Sequence, residues 1–154
     1  MKLDEKDKKL LNLLQKDSRE SLTNLAKALD LSIDSTHKRI KKLTKEGIIY
    51  FKVFIDPKKV GYELIANIQI KLSNLGEDEL VKFVSYLEKH PRVIELISIM
   101  GTYDLTCVII AKDTNELEGT SRNIREDFRD IIADWRTVIN LKVHKFEEYD
   151  FSNL

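Results

Sequence analysis

The sequence lacks both the cysteines of a disulfide-stabilised protein and the long apolar runs of a membrane protein. Among its 154 residues Cys107 is the one cysteine, so an intramolecular disulfide framework is excluded and a reducing compartment is expected. No apolar run approaches the ~20 residues of a membrane span, and the first residues lack the apolar core of a signal peptide. We therefore expect a cytoplasmic protein in which Cys107 is a small core residue.

The sequence also lacks the motifs that usually carry catalysis. It has no evident nucleophile–base pair, glycine-rich phosphate loop or carboxylate dyad. Its three histidines, His37, His90 and His144, are scattered without the spacing of metal ligands. These absences argue against an enzyme, and we expect no metal and no cofactor.

The formal net charge is zero, but the charges are unevenly distributed along the chain. Residues 1–60 carry 15 Lys and Arg against 9 Asp and Glu, whereas residues 61–154 carry 11 against 17. A basic half can neutralise phosphates, while an acidic half is repelled by them. The step in charge indicates two domains with different partners, which we place at residues 1–55 and 64–154 with a linker at 56–63.

The first half of the chain has the pattern of short helices. Asp4 is placed to cap the first helix and Ser21 the second, because each side chain can accept a hydrogen bond from a free N–H group of the first turn. Apolar residues repeat at the spacing of one helix face in both helices: Leu10, Leu11, Leu13 and Leu14, then Leu22, Leu25, Ala26 and Leu29. We expect these two helices to support a third.

The third helix is predicted between Ser32, its N-cap, and Gly47, a C-cap glycine. Residues 31–45 contain five basic residues and one acidic residue. A short, capped, basic helix that follows a supporting helix is the layout of a helix-turn-helix reader of the DNA major groove. Its inward side is expected to consist of Thr36, Ile40 and Leu43. We expect Ser35, His37, Lys38 and Lys41 near base edges, and Arg39, Lys42, Lys45 and Lys52 nearer phosphates.

After the third helix the period changes from 3.6 to 2. Residues Ile48–Ile55 have the pattern of a strand or β-wing, and Pro57 ends it because proline cannot donate a hydrogen bond to a neighbouring strand. A wing would bring Lys45 and Lys52 within reach of phosphate.

The second half predicts the order βαββαβ, an α+β ferredoxin-like domain with both helices on one face of one sheet. Strands are expected at Ala66–Ser73, Val93–Met100, Leu105–Ala111 and Trp135–Phe146, helices at Glu77–Lys89 and from a Thr114 cap to about Ile132, and turns at 74–76 and 101–104. Ile68, Ile70, Leu96 and Val108 cannot all point at the helices, so we expect an apolar open face and a homodimer formed through the sheets.

In order and spacing, these segments resemble the Lrp/AsnC, or feast/famine, transcription regulators over nearly the whole chain. The resemblance rests on Leu3-Asp4-Glu5-x-Asp7-x-x-Leu10-Leu11, Leu25-Ala26, Leu31-Ser32, Arg39-Ile40-x-x-Leu43, Gly47-Ile48-Ile49, Asp56-Pro57-x-x-Val60-Gly61 and Gly101-x-Tyr103-Asp104. Two positions depart from the family pattern. Thr36 stands where an apolar β-branched residue is more common, and Met100 where a small polar residue commonly precedes the glycine.

The resemblance implies a winged helix-turn-helix domain joined to a ferredoxin-like effector domain, with dimers that assemble into octamers. It also implies that an amino acid or similar small effector binds between dimers, near Gly101, Thr102, Tyr103 and Asp104. Turn amides and a carboxylate would suit the two charges of a zwitterion. The alternative is a structural turn in which Asp104 caps its own backbone.

The expected function is that of a sequence-specific regulator that binds double-stranded DNA, but two other functions are compatible with parts of the pattern. Sirohaem decarboxylases look like this architecture but need an Arg-Arg-Ile-Gly-like stretch after the third helix, where this chain has Ile49-Tyr50-Phe51-Lys52. A ligand-sensing oligomer without DNA binding would not require the basic third helix.

Overall fold

The computed structural model of the protein describes residues 2–73 and 76–153, and within them five α-helices and four β-strands form the regular structure. In chain order these are α1 (Glu5–Lys16), α2 (Leu22–Leu29), α3 (Ile33–Lys45), β1 (Leu64–Leu72), α4 (Glu77–Lys89), β2 (Val93–Ser98), β3 (Leu105–Ala111), α5 (Thr114–Asp127) and β4 (Ile132–Ile139). Short 3₁₀ helices occur at Pro57–Val60 and Phe151–Asn153. Most of the predicted turn at 74–76 lies outside the described residues.

The chain forms two compact units. The first contains the residues up to Phe54 together with those from His144 onward, and the second runs from Ile55 to Val143. Residues 64–154 were predicted as one domain, and within this range the segment from His144 onward makes its contacts with the first unit.

Helices α1, α2 and α3 of the first unit begin at the predicted caps. The Asp4 carboxylate accepts a hydrogen bond from the backbone N–H of Asp7 at 2.8 Å, and Ser21 and Ser32 make the equivalent bonds in α2 and α3. Six buried leucines from the three helices form the core of this unit: Leu10, Leu11, Leu14, Leu25, Leu29 and Leu43. The apolar helix faces predicted from the periodicity therefore pack on one another.

The C-terminal segment packs against α1 through two amide side chains one helical turn apart. Asn12 donates to the Ser152 hydroxyl at 3.0 Å and accepts from the backbone N–H of Phe151 at 3.0 Å. Gln15 donates to the backbone carbonyl of Tyr149 at 3.0 Å and accepts from the same residue's N–H at 2.9 Å. The Phe151 ring packs on the leucine core. The C-terminal segment is thus an integral part of the first unit.

The second unit is a four-stranded antiparallel sheet in the order β2-β3-β1-β4. This order confirms the predicted ferredoxin-like fold, because the two central strands are the first strands of the two βαβ halves. Alternate residues of β1 and β3 pack under α4 and α5 around Phe83 and Leu87. Cys107 is fully buried there, as predicted, and burial raises the pKa of its thiol to about 12.

The four residues expected to be divided between the two faces of the sheet do not all point at the helices, as predicted. Ile68 and Ile70 are buried under the helices and Leu96 packs on the same core, so three of the four residues expected to cover both faces share one face. Because side chains alternate along a strand, the buried Val108 and Ile110 lie on the opposite face. The open face therefore carries Val108, one of the four predicted residues, beside the polar Asn67 and Thr106, which are hydrogen-bonded to each other at 2.9 Å.

Several element boundaries also differ from the prediction. Helix α5 starts after Asp113, whose carboxylate caps it, so that Thr114 is the first helical residue. It ends at Asp127, because β4 already begins at Ile132. Strand β4 ends at Ile139, which pairs with Ala66 near the start of β1, its one neighbour in the sheet.

The predicted strand or wing at Ile48–Ile55 is absent from the described structure, in which this segment forms neither helix nor strand. A strand needs hydrogen bonds from a neighbouring backbone, and none of the described residues of the chain pairs with it. Tyr50, Val53 and Phe54 are all more than 70% exposed. Lys52, one of the predicted phosphate contacts, is exposed within this segment.

Candidate DNA-binding surface and effector turn

Helix α3 is held in the first unit by its inner face and by both of its ends. Thr36 and Leu43 are buried to 0% and 1% exposure, and Ile40 packs on the same core, as predicted. At the C-terminal end Gly47 adopts φ +70°, which glycine tolerates because it has no Cβ. The backbone N–H of Ile48 then donates to the Leu43 carbonyl at 2.9 Å. The orientation of the outer face is fixed by these contacts.

The outer face of α3 is exposed and basic. His37, Lys41, Lys42 and Lys45 are all exposed. In the described parts of the chain the three lysines have no ion-pair partner, in contrast to their neighbours Lys38 and Arg39. Unpaired ammonium groups on one helix face are what binding to the phosphates of DNA requires.

Two predicted base contacts, Lys38 and Ser35, lie at the start of α3. Lys38 Nζ is 2.7 Å from Oδ2 of Asp34 one turn earlier, and both side chains are exposed. The hydrogen bond to Asp34, and then its charge, raise the pKa of Lys38. The Ser35 hydroxyl accepts a hydrogen bond from Ser32 Oγ at 2.9 Å. Because the Lys38–Asp34 pair is solvated, its lysine can exchange the carboxylate for another acceptor at little cost.

Unlike the exposed lysines of α3, Arg39 is only partly exposed and has two ion-pair partners. Its Nη1 lies 2.6 Å from Oδ1 of Asp7 and 2.8 Å from Oδ2 of Asp4, both on the N-terminal side of α1. Hydrogen bonds to Asp4 and then to Asp7 raise the pKa of Arg39. The pKa of Asp4 is lowered in turn, first by the backbone N–H of Asp7 and then by Arg39. Arg39 thus connects α3 to α1, a contact additional to the phosphate contact predicted for it.

The turn Gly101–Asp104 connects β2 to β3, and its last residue is bonded to β1. Asp104 Oδ2 accepts from the backbone N–H of Leu72 at 2.8 Å, and Oδ1 lies 3.2 Å from Nζ of Lys71. The hydrogen bond from Leu72, together with the smaller effect of Lys71, lowers the pKa of Asp104. The carboxylate therefore caps the end of the neighbouring strand β1. The alternative in which Asp104 caps its own backbone is wrong.

Of the other three residues of this turn, Tyr103 is hydrogen-bonded to the sheet, whereas Gly101 and Thr102 are exposed. The Tyr103 hydroxyl donates to Oδ2 of Asp134 on β4 at 3.1 Å. Gly101 and Thr102 at the tip are exposed, as is Met100 before them. The turn therefore has an exposed tip, and its base is hydrogen-bonded to β4 through Tyr103 and to β1 through Asp104.

The sequence patterns missed the ion pair of Asp7 and the docking of the C-terminal segment. Asp7 is 6% exposed, and its position three residues before Leu10 places it on the apolar stripe of α1, where a charge requires a partner. That spacing could have predicted a buried pair, although it does not identify Arg39. No local pattern predicts that Phe151 returns to α1.

Helices of membrane-spanning length and apolarity are absent from the described chain. Within residues 2–73 and 76–153, no three side chains of His, Cys, Asp or Glu lie together as a metal site.

Family models match both units of the chain. The model for a winged helix-turn-helix DNA-binding domain matches residues 3–50, and the model for the Lrp/AsnC ligand binding domain matches residues 65–148. Together with the basic face of α3 and the ferredoxin-like sheet, these matches define a DNA-binding transcriptional regulator. The chain belongs to the Lrp/AsnC family.

Individual relatives agree with this assignment. The HTH-type transcriptional regulator FL11 of Pyrococcus horikoshii is 33% identical over 150 residues, which cover 93% of this chain and 92% of the relative. The fold also matches two solved structures at 23% identity. An AsnC family regulator from Agrobacterium tumefaciens has a TM-score of 0.86, with 99% of each chain covered. The regulator NMB0573 of Neisseria meningitidis, in complex with L-methionine, has a TM-score of 0.85, with 94% of each chain covered.

Proposed function

We propose that this regulator reads its operator through the outer face of α3. The observation that supports the proposal most directly is the set of exposed lysines on α3 without ion-pair partners among the described residues. Base edges would be contacted by Ser35, His37, Lys38 and Lys41, and phosphates by Lys42, Lys45 and Lys52. Arg39 is reassigned to positioning α3, because its guanidinium already serves Asp4 and Asp7.

We further propose a cytoplasmic homodimer, formed through the open sheet faces, that can assemble into octamers. A dimer would place two copies of α3 in successive major grooves of a pseudo-palindromic site, about one turn of DNA or a multiple of it apart. Two exposed apolar side chains on the open face, Ile97 at 46% and Val138 at 43% exposure, support this arrangement, because exposed apolar surface marks an interaction site.

An amino acid or similar small effector would modulate DNA binding. The support is the match to the Lrp/AsnC ligand binding domain and the L-methionine complex of NMB0573, a protein of the same fold. Gly101, Thr102, Tyr103 and Asp104 are the effector contacts proposed from the family resemblance. The exposed tip at Gly101 and Thr102 would supply free amides, with Tyr103 and Asp104 as its support.

The first experiment is fluorescence anisotropy with the DNA upstream of the protein's own gene, compared with a scrambled duplex at the same salt concentration. A preference of about a thousandfold or more is expected for a sequence-specific regulator. Equal, salt-sensitive binding to both duplexes would contradict sequence-specific reading of that site, and an absence of binding to either would contradict the proposed role of α3. An amino-acid panel added to the same complex tests the effector.

The role of the unpaired lysines is tested by Lys42→Ala. Removing one phosphate contact should weaken binding to all sequences alike and reduce the slope of log K against log salt by about one. Lys82→Ala is the matched control, since Lys82 is also an exposed helical lysine but belongs to α4 of the second unit. Equal salt slopes for wild type and Lys42→Ala would show that Lys42 does not contact phosphate.

A further inference from the structure

One large apolar side chain is exposed on the three described helices of the first unit. Ile33, the first residue of α3, is 51% exposed, whereas every leucine and the other isoleucine of α1, α2 and α3 are buried or partly buried. Single exposed apolar residues are common on protein surfaces. What requires an explanation is therefore the position of Ile33, at the start of the helix proposed to read DNA.

The local structure at the start of α3 gives no reason for an isoleucine. The helix is capped by Ser32, whose side chain accepts a hydrogen bond from the backbone N–H of Ser35 at 3.1 Å. The Leu31 side chain, just before the cap, packs on the leucine core. Ile33 belongs neither to this cap nor to the described core, and a β-branched residue is not favoured in a helix by its propensity.

Ile33 lies in line with two of the residues proposed to contact base edges. Residues four apart on a helix lie one above the other on the same face, so Ile33, His37 and Lys41 form one row along α3. His37 and Lys41 are exposed, as Ile33 is. The row begins at the N-terminal end of α3, and the N-terminal residues of a recognition helix are those that contact base edges.

An aliphatic side chain can recognise only one feature of the major groove. All four bases present hydrogen-bond donors or acceptors there, and thymine alone adds a methyl group, at C5. Isoleucine has no side-chain donor or acceptor, so over a polar base edge it would displace water without replacing its hydrogen bonds. Over a thymine methyl group both partners are apolar, and their contact removes apolar surface from water.

We propose that Ile33 is a specificity-determining residue of this regulator and reads a thymine of the operator through its C5-methyl group. This inference rests on the proposed reading of DNA by α3 and adds an apolar contact to the polar ones named above. Ile33 and Lys41 are separated by about 12 Å along the helix axis, which corresponds to about three to four base steps. In each half-site the thymine therefore lies within about four base pairs of the base that Lys41 contacts.

Deoxyuridine tests this contact, because it pairs as thymine does but lacks the C5-methyl group. The full-length protein is measured by fluorescence anisotropy on a duplex that it binds sequence-specifically, taken from its upstream DNA or selected from a random library. Each thymine of a half-site is replaced in turn by deoxyuridine. At one position the replacement should weaken binding about three- to fivefold, which is the effect of losing one buried methyl group. If no replacement weakened binding, the proposal would be overturned.

Variants show whether Ile33 is the residue that contacts the methyl group. Ile33→Ala should bind the thymine and deoxyuridine duplexes equally at that position, and Ile33→Val should keep the preference, because valine also presents branched methyl groups. Val81→Ala is the matched control, since Val81 is a β-branched helical residue with 62% exposure in α4 of the second unit. It should discriminate as wild type does. An undiminished preference in Ile33→Ala would show that another residue reads the thymine, and the proposal would be wrong.

The salt dependence of binding distinguishes this contact from those of the lysines. A methyl contact releases no counter-ions, so Ile33→Ala should leave the slope of log K against log salt unchanged, unlike Lys42→Ala. A changed slope would contradict an apolar contact. If the protein bound no duplex at all, the proposed function would be wrong and this inference with it. Sequence-specific binding in which no thymine depends on Ile33 would overturn this inference alone.

Discussion

Arg39 of α3 and Asp7 of α1 form an ion pair with 2.6 Å between Nη1 and Oδ1, beside the leucine core of the first unit. The Asp7 side chain is 8% exposed and that of Arg39 is 28% exposed. The pair therefore joins a nearly buried carboxylate on α1 to a partly exposed cation on α3. It couples the position of α3 to the fold of the whole unit.

Replacing Arg39 by methionine should destabilise the first unit by about 1–3 kcal/mol, because the Asp7 carboxylate would lose its cation in a nearly water-free position. Denaturant unfolding at pH 7 measures the change. Lys38→Met is the matched control, since the Lys38–Asp34 pair is fully solvated, and its midpoint should shift much less. Adding Asp7→Asn to Arg39→Met should recover part of the loss. Equal midpoints for the two single variants would contradict the structural role of Arg39.

Asp104 should make stability depend on pH in the acid range. Its folded pKa lies below the ordinary value of 3.8, first because of the Leu72 N–H and then because of Lys71. A carboxyl with a lowered pKa stabilises the fold above its unfolded pKa, and this contribution is lost as the pH falls through the folded pKa. Asp104→Asn should therefore lower the melting temperature at pH 7 and differ less from wild type at pH 3.

Asp130→Asn is the control for that measurement, because the Asp130 side chain is 93% exposed and its ion pair, at 3.9 Å, is loose. Its melting temperature should follow wild type at both pH values. A difference for Asp104→Asn that is the same at pH 7 and pH 3 would show that the charge of Asp104 does not stabilise the strand end.

Two glycine-to-alanine substitutions should shift stability in opposite directions. Gly47 has φ +70°, and an added Cβ would lie 3.0 Å from the Tyr50 hydroxyl, so Gly47→Ala should destabilise the protein by about 1 kcal/mol. Gly119 lies inside α5 and an added Cβ would meet nothing within 4 Å, so Gly119→Ala should stabilise it by about 0.5–1 kcal/mol. Thermal unfolding of the two variants measures both effects. If both substitutions stabilised the protein, or both destabilised it, the interpretation of one of the two glycines would be wrong.

Phe151 should contribute to the stability of a helix far from it in sequence. Truncation by Phe151→Ala removes a partly buried ring from the leucine core, which should cost about 1–3 kcal/mol. Hydrogen exchange of the α1 amides should accelerate, because α1 carries the two side chains that hold the C-terminal segment. Val53→Ala is the control, since Val53 is 82% exposed. Unchanged exchange in α1 would indicate that the C-terminal segment does not stabilise this unit.

The elements with strong local patterns were predictable from the sequence. Helix α4 and strand β3 have the predicted bounds, because α4 has a clear helical period between Gly76 and Pro91 and β3 is a continuous apolar run that starts directly after a turn. The caps Asp4, Ser21 and Ser32 were also predictable, since a side chain that bonds its own first turn involves residues only three apart. The predicted wing failed for the opposite reason. A strand exists only with a partner, and residues 48–55 find none in the described chain.

Local spacing, capping chemistry and charge distribution were sufficient to predict the fold class and the basic face of α3, and the resemblance of the motifs to a known family predicted the kind of protein this is. Those properties depend on residues a few positions apart, and their physical consequences are local. The partner of Asp7, the strand end that Asp104 caps and the return of Phe151 to α1 were decided only by the tertiary structure. Each of them joins residues that are distant in sequence, and only packing of the whole unit determines which distant residues meet.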